Sequence, residues 1–553
     1  MCAGSTLSVW QAEAVRHLLA VPGIELALLI EDAGVVGEAP ASTVAKIRRQ
    51  EWRKILFLGA ARTFMRPSCN APVDMSATYV GVPAVRCAVR KQGKWSQYFQ
   101  PDDIATIRGY NLDFVLRFAY NIIRGEILQV PRYGVWSFHH DDEEYYRGAP
   151  PCFWEIYHRD PVTGALLQRL TDRLDGGVVL RKGFFRTLDH SYSANVNHVY
   201  LRSAHWPALV ARDIQHGLAT YAEAAPSKST APIFYLPTNG QFVRFGLKVL
   251  GNKLRRVFDF AFRQDEWNVG VVETPIQRFL DPAFQPVVKL MPRPAEGTFM
   301  ADTFGIERPD GSVELLVEDL DYRTNRGIIR VIPWDLAAAR PTGPGRVVLD
   351  LPVHLSYPYL FEADGARWMV PEMAGARCCK LYREHPTTGT WDEIATLVTD
   401  EAVVDPTIFR HDGRWWLFYT TLDSGPDDTL FISYADELRG PWLPHARNPI
   451  RTDIRSARPA GTPFLGSDGA LYRPAQDCSK TYGWRVQLNR LDALTPTEFS
   501  ETPVRVVASP DGFYRDGFHT LAAAGPTLTV VDVKRRRFIP AALVARVRAV
   551  LRR

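Results

Sequence analysis

Residues 133–183 read YGVWSFHHDDEEYYRGAPPCFWEIYHRDPVTGALLQRLTDRLDGGVVLRKG. The apolar run 134–138 has the length and character of a strand. Ser137, His139, His140, Asp141 and Asp142 gather at its end, so the strand carries a hydroxyl and an imidazole to its tip. Residues 147–151 form a proline-bearing turn that opens a short helix-like stretch, 152–157. A second strand-like run, 165–170, leads to Leu174-Asp175-Gly176-Gly177. That is an aspartate in a tight turn whose glycines let a ligand approach the backbone.

Upstream, Ser8 is placed to cap a helix over 9–20, with Trp10, Ala14 and Leu18 on one face. Residues 24–30 read as a buried strand. This is a β-α-β opening whose first strand is short or absent, since 2–6 is all that stands before the helix. Residues 84–89 read as a strand and 112–120 (LDFVLRFAY) as a strong apolar one. A helical stretch covers 194–217. Residues 219–232 are small, polar and proline-punctuated, which marks a linker. Residues 240–262 make a basic amphipathic helix with Arg244, Lys248, Lys253, Arg255 and Arg256. Such a helix suits an anionic membrane surface; packing between two domains, with its charges in water, is the favoured expectation.

With 553 residues the chain has room for about two or three domains. Its 66 Lys and Arg against 61 Asp and Glu leave a mild +5, which gives no reason to expect nucleic acid as a partner. Seven scattered cysteines without a CxxC fit a reducing compartment and offer no thiolate zinc site. No metal is expected, and the expected location is cytoplasmic. No basic-then-apolar leader opens the sequence, and 24–30 is too short to span a bilayer.

From about residue 265 the texture changes to short strands, turns and aromatics. Asp310-Gly311, Asp364-Gly365, Asp412-Gly413 and Asp468-Gly469 recur at intervals of 48 to 56 residues, with Ala524-Gly525 as a degenerate fifth. Five such units of four strands predict a five-bladed β-propeller. The expected organisation is an α/β domain over 1–218, linker and basic helix over 219–263, propeller over 264–540 and a basic C-terminal helix over 541–553.

Residues 112–185 resemble the catalytic core of the folate-dependent formyltransferases. That family's pattern is Asn-x-His, about eight residues to Arg-Gly-x-x-Pro, a Thr-Gly loop and a Leu-Asp-x-Gly turn. Here His139 stands 8 residues before Arg147 and 36 before Asp175, with Thr163-Gly164 and Leu174-Asp175-Gly176-Gly177 in order. The resemblance implies a Rossmann-like α/β domain that takes 10-formyltetrahydrofolate as co-substrate and passes its formyl group to an amine. It implies His139 as oxyanion donor and proton carrier, with Asp175 fixing the charge state of the imidazole. It implies a folate pocket along Phe118, Ala119, Tyr120, Asn121, Ile122 and Ile123, with Gly176 and Gly177. One position departs: Ser137 stands where the family has asparagine. Loss of a well-placed oxyanion donor costs about 10²–10³ in rate. His140, Asp141, Asp142, Glu143 and Glu144 read as a solvated acidic loop.

The second half resembles the five-bladed propellers of glycoside hydrolases. It is more similar to the propeller-like part of plant glucosamine inositolphosphorylceramide transferases. The shared segments are HLSYP (354–358), Pro371-Glu372, GPW (440–442), ARPAG (457–461) and RPAQD (473–477). Asp302, Glu372 and Asp405 are candidate channel carboxylates. Arg458, Arg473, Gln476 and Asp477, with Trp368, Trp415 and Tyr482, are candidate glycan contacts. The combined reading is an N-formyltransferase-like enzyme acting on an amino sugar or glycoconjugate. Two alternatives stay open: a glycan-binding protein with a degenerate transferase domain, and a glycosidase or glycosyltransferase acting through the propeller.

Overall fold

The computed structural model describes residues 1–36, 51–93, 95–173, 176–308, 310–540 and 543. The chain divides into two units, Met1–Arg256 and Val257–Arg553.

In the first unit the Ser8 N–H donates to Gln11 Oε1 at 3.0 Å, half of a capping box, and starts helix α1 (Val9–Leu19). Trp10, Ala14 and Leu18 are buried along one face of α1, as their spacing implies. Strand β1 (Leu29–Val35) runs parallel to β2 (Ala84–Gln92), and β3 (Val115–Leu116) runs parallel to β4 (Val135–His139). Strand β4 pairs antiparallel with β5 (Val162–Arg169), which pairs antiparallel with β6 (Val178–Arg186). Met1 and Cys2 link the two sheets. Cys2 N–H donates to Ile30 O and Asp32 N–H to Cys2 O, both at 3.0 Å, while Phe118 N–H donates to Met1 O at 2.9 Å. Cys2 forms an isolated bridge to Glu31, and the first strand is Thr6–Ser8, which pairs antiparallel with Pro72–Asp74.

Three expectations shift. Residues 24–28 stay outside the sheet, and the strand begins at Leu29, where β2 and Cys2 both offer partners. Of 112–120 only Val115–Leu116 pairs as a strand, because Tyr120 takes φ 67° and the Arg117 guanidinium turns in to the carbonyls of Tyr120 and Asn121. The 194–217 helix is two helices, α3 (Tyr192–Ser203) and α4 (Trp206–Gln215). Pro207 sits in the first turn of α4, where its missing N–H costs nothing. Past the 219–232 stretch, Ile233–Phe234 pairs with Arg147–Gly148. A Cβ on Gly148 (φ 104°) would lie 2.1 Å from Phe234 O, so this Arg-Gly turn requires its glycine. Helix α5 (Asn239–Phe262) packs Phe242 and Phe245 against Phe57 and Phe153.

Among the described residues the second unit holds five antiparallel sheets. The first three open on β7 (Thr298–Glu307), β8 (Ser356–Ala363) and β9 (Val403–His411). The fourth spans Phe464–Leu465 to Phe499–Val507. The fifth joins both ends of the unit: Arg263–Val272 pairs with β10 (Thr529–Phe538) from Arg263↔Phe538 to Val272↔Thr529. The repeated Asp-Gly signal has a backbone cause. Asp364 and Gly365 take φ 51° and 68°, and Asp412 and Gly413 take 47° and 78°, between directly paired strand ends. Two positive φ values in a two-residue loop match the twist of the flanking strands. The helix expected over 541–553 lies outside the described residues, Leu543 apart. Among the described residues no helix is long and apolar enough to cross a membrane.

Leu417 is fully buried in the largest apolar cluster of the second unit. Leu417→Ala is expected to cost about 2–5 kcal/mol, read as a fall in the urea midpoint of the second unit.

Candidate functional sites

Ser137 and His139 are two apart on β4 and so share one face of its sheet. Ser137 is buried, and its Oγ accepts two hydrogen bonds from one guanidinium, Arg117 Nε at 3.2 Å and Nη2 at 2.9 Å. Arg117 Nη1 donates to Tyr120 O at 3.1 Å and Asn121 O at 2.5 Å. Burial lowers the pKa of Arg117, yet a guanidinium so placed keeps its charge. His139 Nε2 lies 3.3 Å from Tyr146 O, so the Nε2–H tautomer donates there. At this strand tip, Arg117 is the residue the sequence reading missed. Its signal was a charge inside an otherwise apolar run.

The acidic loop is not solvated. The His140 ring stacks on Tyr200 with centroids 3.5 Å apart, and burial lowers its pKa well below the usual range, so it is neutral. Asp141 Oδ1 accepts from Cys152 N–H at 2.7 Å. Lys182 Nζ lies 2.7 Å from Asp142 Oδ1 and 3.0 Å from Glu143 Oε2. Lys182 on β6 supplies the countercharge that lets Asp142 and Glu143 be buried; Glu144 alone of the five is exposed.

The expected folate pocket is also more self-contained than a row of open backbone groups. Phe118 N–H is held by Met1 O, and the Tyr120 and Asn121 carbonyls are held by Arg117. Asn121 N–H donates to Gln97 Oε1 at 2.5 Å. The Tyr120 hydroxyl donates to Glu31 O at 3.0 Å, and Ile122 and Ile123 belong to a strand paired with Ser96–Tyr98. Ala119 is buried. Gly177 N–H donates to Gln168 Oε1 at 3.2 Å, and a Cβ there would meet Arg169 O at 2.5 Å. Gly176 O accepts from Thr171 Oγ1 at 2.7 Å. Asp175 and Leu174 lie outside the described residues.

The second unit gathers a buried polar cluster, and a repeated backbone device builds it. Strands β7, β8 and β9 each slip register at the same point, between Ala301 and Phe304, Ser356 and Tyr359, and Val404 and Thr407. Inside these bulges Asp302, Tyr357 and Asp405 take φ of 50°, 43° and 47°. A bulge re-aims its side chain out of the ladder. Asp302 Oδ2 accepts from Tyr357 N–H at 3.3 Å, and Glu372 Oε2 accepts from Asp405 N–H at 3.1 Å. Asp405 accepts from Arg458 Nε at 2.6 Å, from Arg458 Nη2 at 3.3 Å and from Gln476 Nε2 at 2.7 Å. The Tyr357 hydroxyl accepts from Gly461 N–H at 2.7 Å. Arg458 also reaches Asp427 at 3.2 Å and the Tyr482 hydroxyl at 3.3 Å.

Around this core lie groups not singled out from the sequence: Glu318, His519 and Asp532. Burial, with Asp302 and Glu372 adding repulsion, raises the Glu318 pKa well above the carboxylate range. Burial and then Asp405 do the same for Glu372. Burial pushes Asp302 up to about 6. His519 Nδ1 lies 2.5 Å from Asp532 and Nε2 lies 3.5 Å from Asp302. Burial opposes charge on this ring, but the two carboxylates outweigh it and raise its pKa. Ligand atoms of Asp302, His519 and Asp532 lie within 4.8 Å of one another, close enough to surround a cation. The imidazole spends both nitrogens on the two carboxylates, which is charge pairing within the cluster.

Asp302, Glu372, Asp405, Arg458 and Gln476 therefore meet, and Arg473 and Asp477 do not join them. Arg473 is fully buried and bonded to Glu501 at 2.7 and 2.9 Å. Asp477 accepts from Arg485 at 2.7 Å and Ser479 N–H at 3.0 Å. Trp368 and Trp415 belong to the apolar core rather than to a glycan surface. The interior of the sheets covers the large apolar area of each indole, which an exposed rim would leave in water.

The geometry thus defines an α/β unit with a polar strand tip and an all-β unit with a buried carboxylate–guanidinium cluster. Residues 306–519 match the family described as Glucosamine inositolphosphorylceramide transferase 1, N-terminal. The Glucosamine inositolphosphorylceramide transferase 1 of Oryza sativa subsp. indica is 33% identical over 228 residues, covering 38% of this chain and 29% of the relative. That of Arabidopsis thaliana is 32% identical over 217 residues, covering 37% and 27%. The chain thus spans less than a third of these relatives' length. A Methionyl-tRNA formyltransferase of Prochlorococcus marinus is 35% identical over 82 residues, 15% of this chain and 24% of the relative. Among solved structures, an α-L-arabinanase of Penicillium chrysogenum complexed with arabinobiose gives a TM-score of 0.30 at 13% identity, covering 43% of this chain and 71% of the other. A score that low adds nothing to the fold described above. Tyr357, Glu372, Arg458, Gly461 and Gln476 come from four of the sequence segments noted above, and all five meet in the cluster.

Two outcomes follow from the cluster. Tyr357→Phe leaves the buried Gly461 N–H without its acceptor and is expected to cost about 1–3 kcal/mol by chemical denaturation. Asp302 holds its proton more tightly folded (about 6) than at its ordinary 3.8, so its contribution to stability is full below about pH 4 and is lost as pH rises to about 6. Urea midpoints of Asp302→Asn are expected to lack that part of the wild-type decline.

Proposed function

We propose that the first unit transfers the formyl group of 10-formyltetrahydrofolate to an amine of an amino sugar or glycoconjugate, and that the second unit recognises the glycan. The supporting observation is the β4 tip, where His139 shares a face with a serine hydroxyl backed by a buried guanidinium. As the amine nitrogen bonds to the formyl carbon, the carbonyl oxygen becomes an oxyanion. Arg117 donates into Ser137 Oγ, and the hydroxyl's own hydrogen meets only a 3.4 Å contact with Phe138 O. That hydrogen is polarised and available to the oxyanion, with a cation behind it. The serine–arginine pair then does the work of the family's amide. His139 takes a proton from the attacking nitrogen and returns one to N10 as the N10–carbon bond breaks. The products are a formamide and tetrahydrofolate.

The relatives' names support the pairing of a formyl group with a glucosamine. Glycan recognition in the second unit rests on its likeness to the N-terminal part of the glucosamine-transferring enzymes. Glu318 and Glu372, whose burial shifts them toward the protonated form, favour a second reading: a general acid for glycoside cleavage or transfer in that unit.

The test is incubation with 10-formyltetrahydrofolate and a panel of glucosamine-bearing acceptors, with mass spectrometry for the formamide. Formylated product is expected from the wild type. His139→Ala is expected to lower kcat by about 10²–10⁴ and Arg117→Met by about 10²–10³. Glycan hydrolysis or transfer abolished by Glu372→Gln, without formylation, would favour the second reading.

A further inference from the structure

Helix α5 carries two apolar stripes, and among the described residues of the first unit only one has a partner. Phe242, Phe245 and Val249 face the aromatic cluster of that unit. Val243, Leu247, Leu250 and Leu254 recur at spacings of 4, 3 and 4, on the opposite side of the helix. All four are between 52% and 67% exposed. Helix α2 (Ile55–Thr63) and the turn before it meet the start of α5, where Asn239 bonds to Trp52 O and Leu56 N–H. They add Trp52 at 65% and Ile55 at 58% exposure. This is more large apolar surface than scattered exposed residues account for.

The charge that the helix itself brings to the stripe is of one sign, with Arg255 lying 3.3 Å from Asp189 of the same unit. Over 239–256 the helix has Arg244, Lys248, Lys253, Arg255 and Arg256 and no acidic residue. On the helical wheel Lys253 flanks the stripe on one side and Arg244 and Arg255 on the other. An apolar band with a basic border and a tryptophan at its edge is the layout of a helix lying in the headgroup region of an anionic bilayer. A second copy of the chain fits less well, because pairing two such helices sets like charges against each other along the seam. We propose that the outward face of α5, with Trp52 and Ile55, docks the first unit on an anionic membrane surface.

The experiment is co-sedimentation of the full chain with vesicles of phosphatidylcholine alone or mixed with phosphatidylserine. Binding to the mixed vesicles is expected at low salt, with little binding to the neutral ones. It should fall at least tenfold in about 1 M salt, where the Debye length is about 3 Å. Leu247→Glu/Leu250→Glu should lower the vesicle affinity by about 100-fold with an unchanged circular dichroism spectrum. Arg244→Glu/Lys253→Glu leaves the apolar stripe intact and should remove the preference for anionic vesicles. The proposal is overturned if the wild type ignores mixed vesicles or binds neutral ones equally well. It is also overturned if Leu247→Glu/Leu250→Glu only dissolves a dimer seen by light scattering.

Discussion

A guanidinium buried against a serine hydroxyl governs the first unit. Arg117 can be turned inward only because Ser137 and the carbonyls of Tyr120 and Asn121 all accept from it. Meeting those partners bends the chain out of the sheet after β3 and sets the loop that leads to the next strand. An asparagine at 137 would bring a longer side chain with donors of its own to the place where this cation needs an acceptor. Serine and arginine thus form one arrangement.

The second unit solves a related problem at larger scale. Five carboxylates, Asp302, Glu318, Glu372, Asp405 and Asp532, are buried together. Such a group is tolerable only if some members are neutralised and others protonated. Arg458 neutralises Asp405, His519 pairs with Asp532 and Asp302, and burial shifts Glu318 and Glu372 toward their protonated forms. Three bulges with residues at positive φ aim Asp302, Tyr357 and Asp405 out of their ladders. A strained tyrosine at the second bulge is retained because its hydroxyl joins Thr407 and Gly461.

Much of this was legible in the sequence, for identifiable reasons. Asp-Gly turns fix hairpins locally, so the repeat marked the sheets of the second unit. The spacing of Trp10, Ala14 and Leu18 fixed the buried face of α1. What was not legible depended on partners distant in sequence. The acidic run after His139 looked solvated because Lys182, 40 residues downstream of Asp142, is invisible to local reading. Trp368 and Trp415 looked like glycan platforms because an aromatic residue has the same signature in a core and on a binding surface. Glu318, His519 and Asp532 gave no local signal, since each matters only through groups on other strands.

The proposed use of folate is tested most directly by a calorimetric titration of the purified chain with 5-formyltetrahydrofolate, a stable stand-in for the donor, beside the same titration of His139→Ala. Saturable binding at one site, weakened in the variant, is the predicted result. No binding by a folded wild type would contradict it and leave the second unit as the seat of the chemistry.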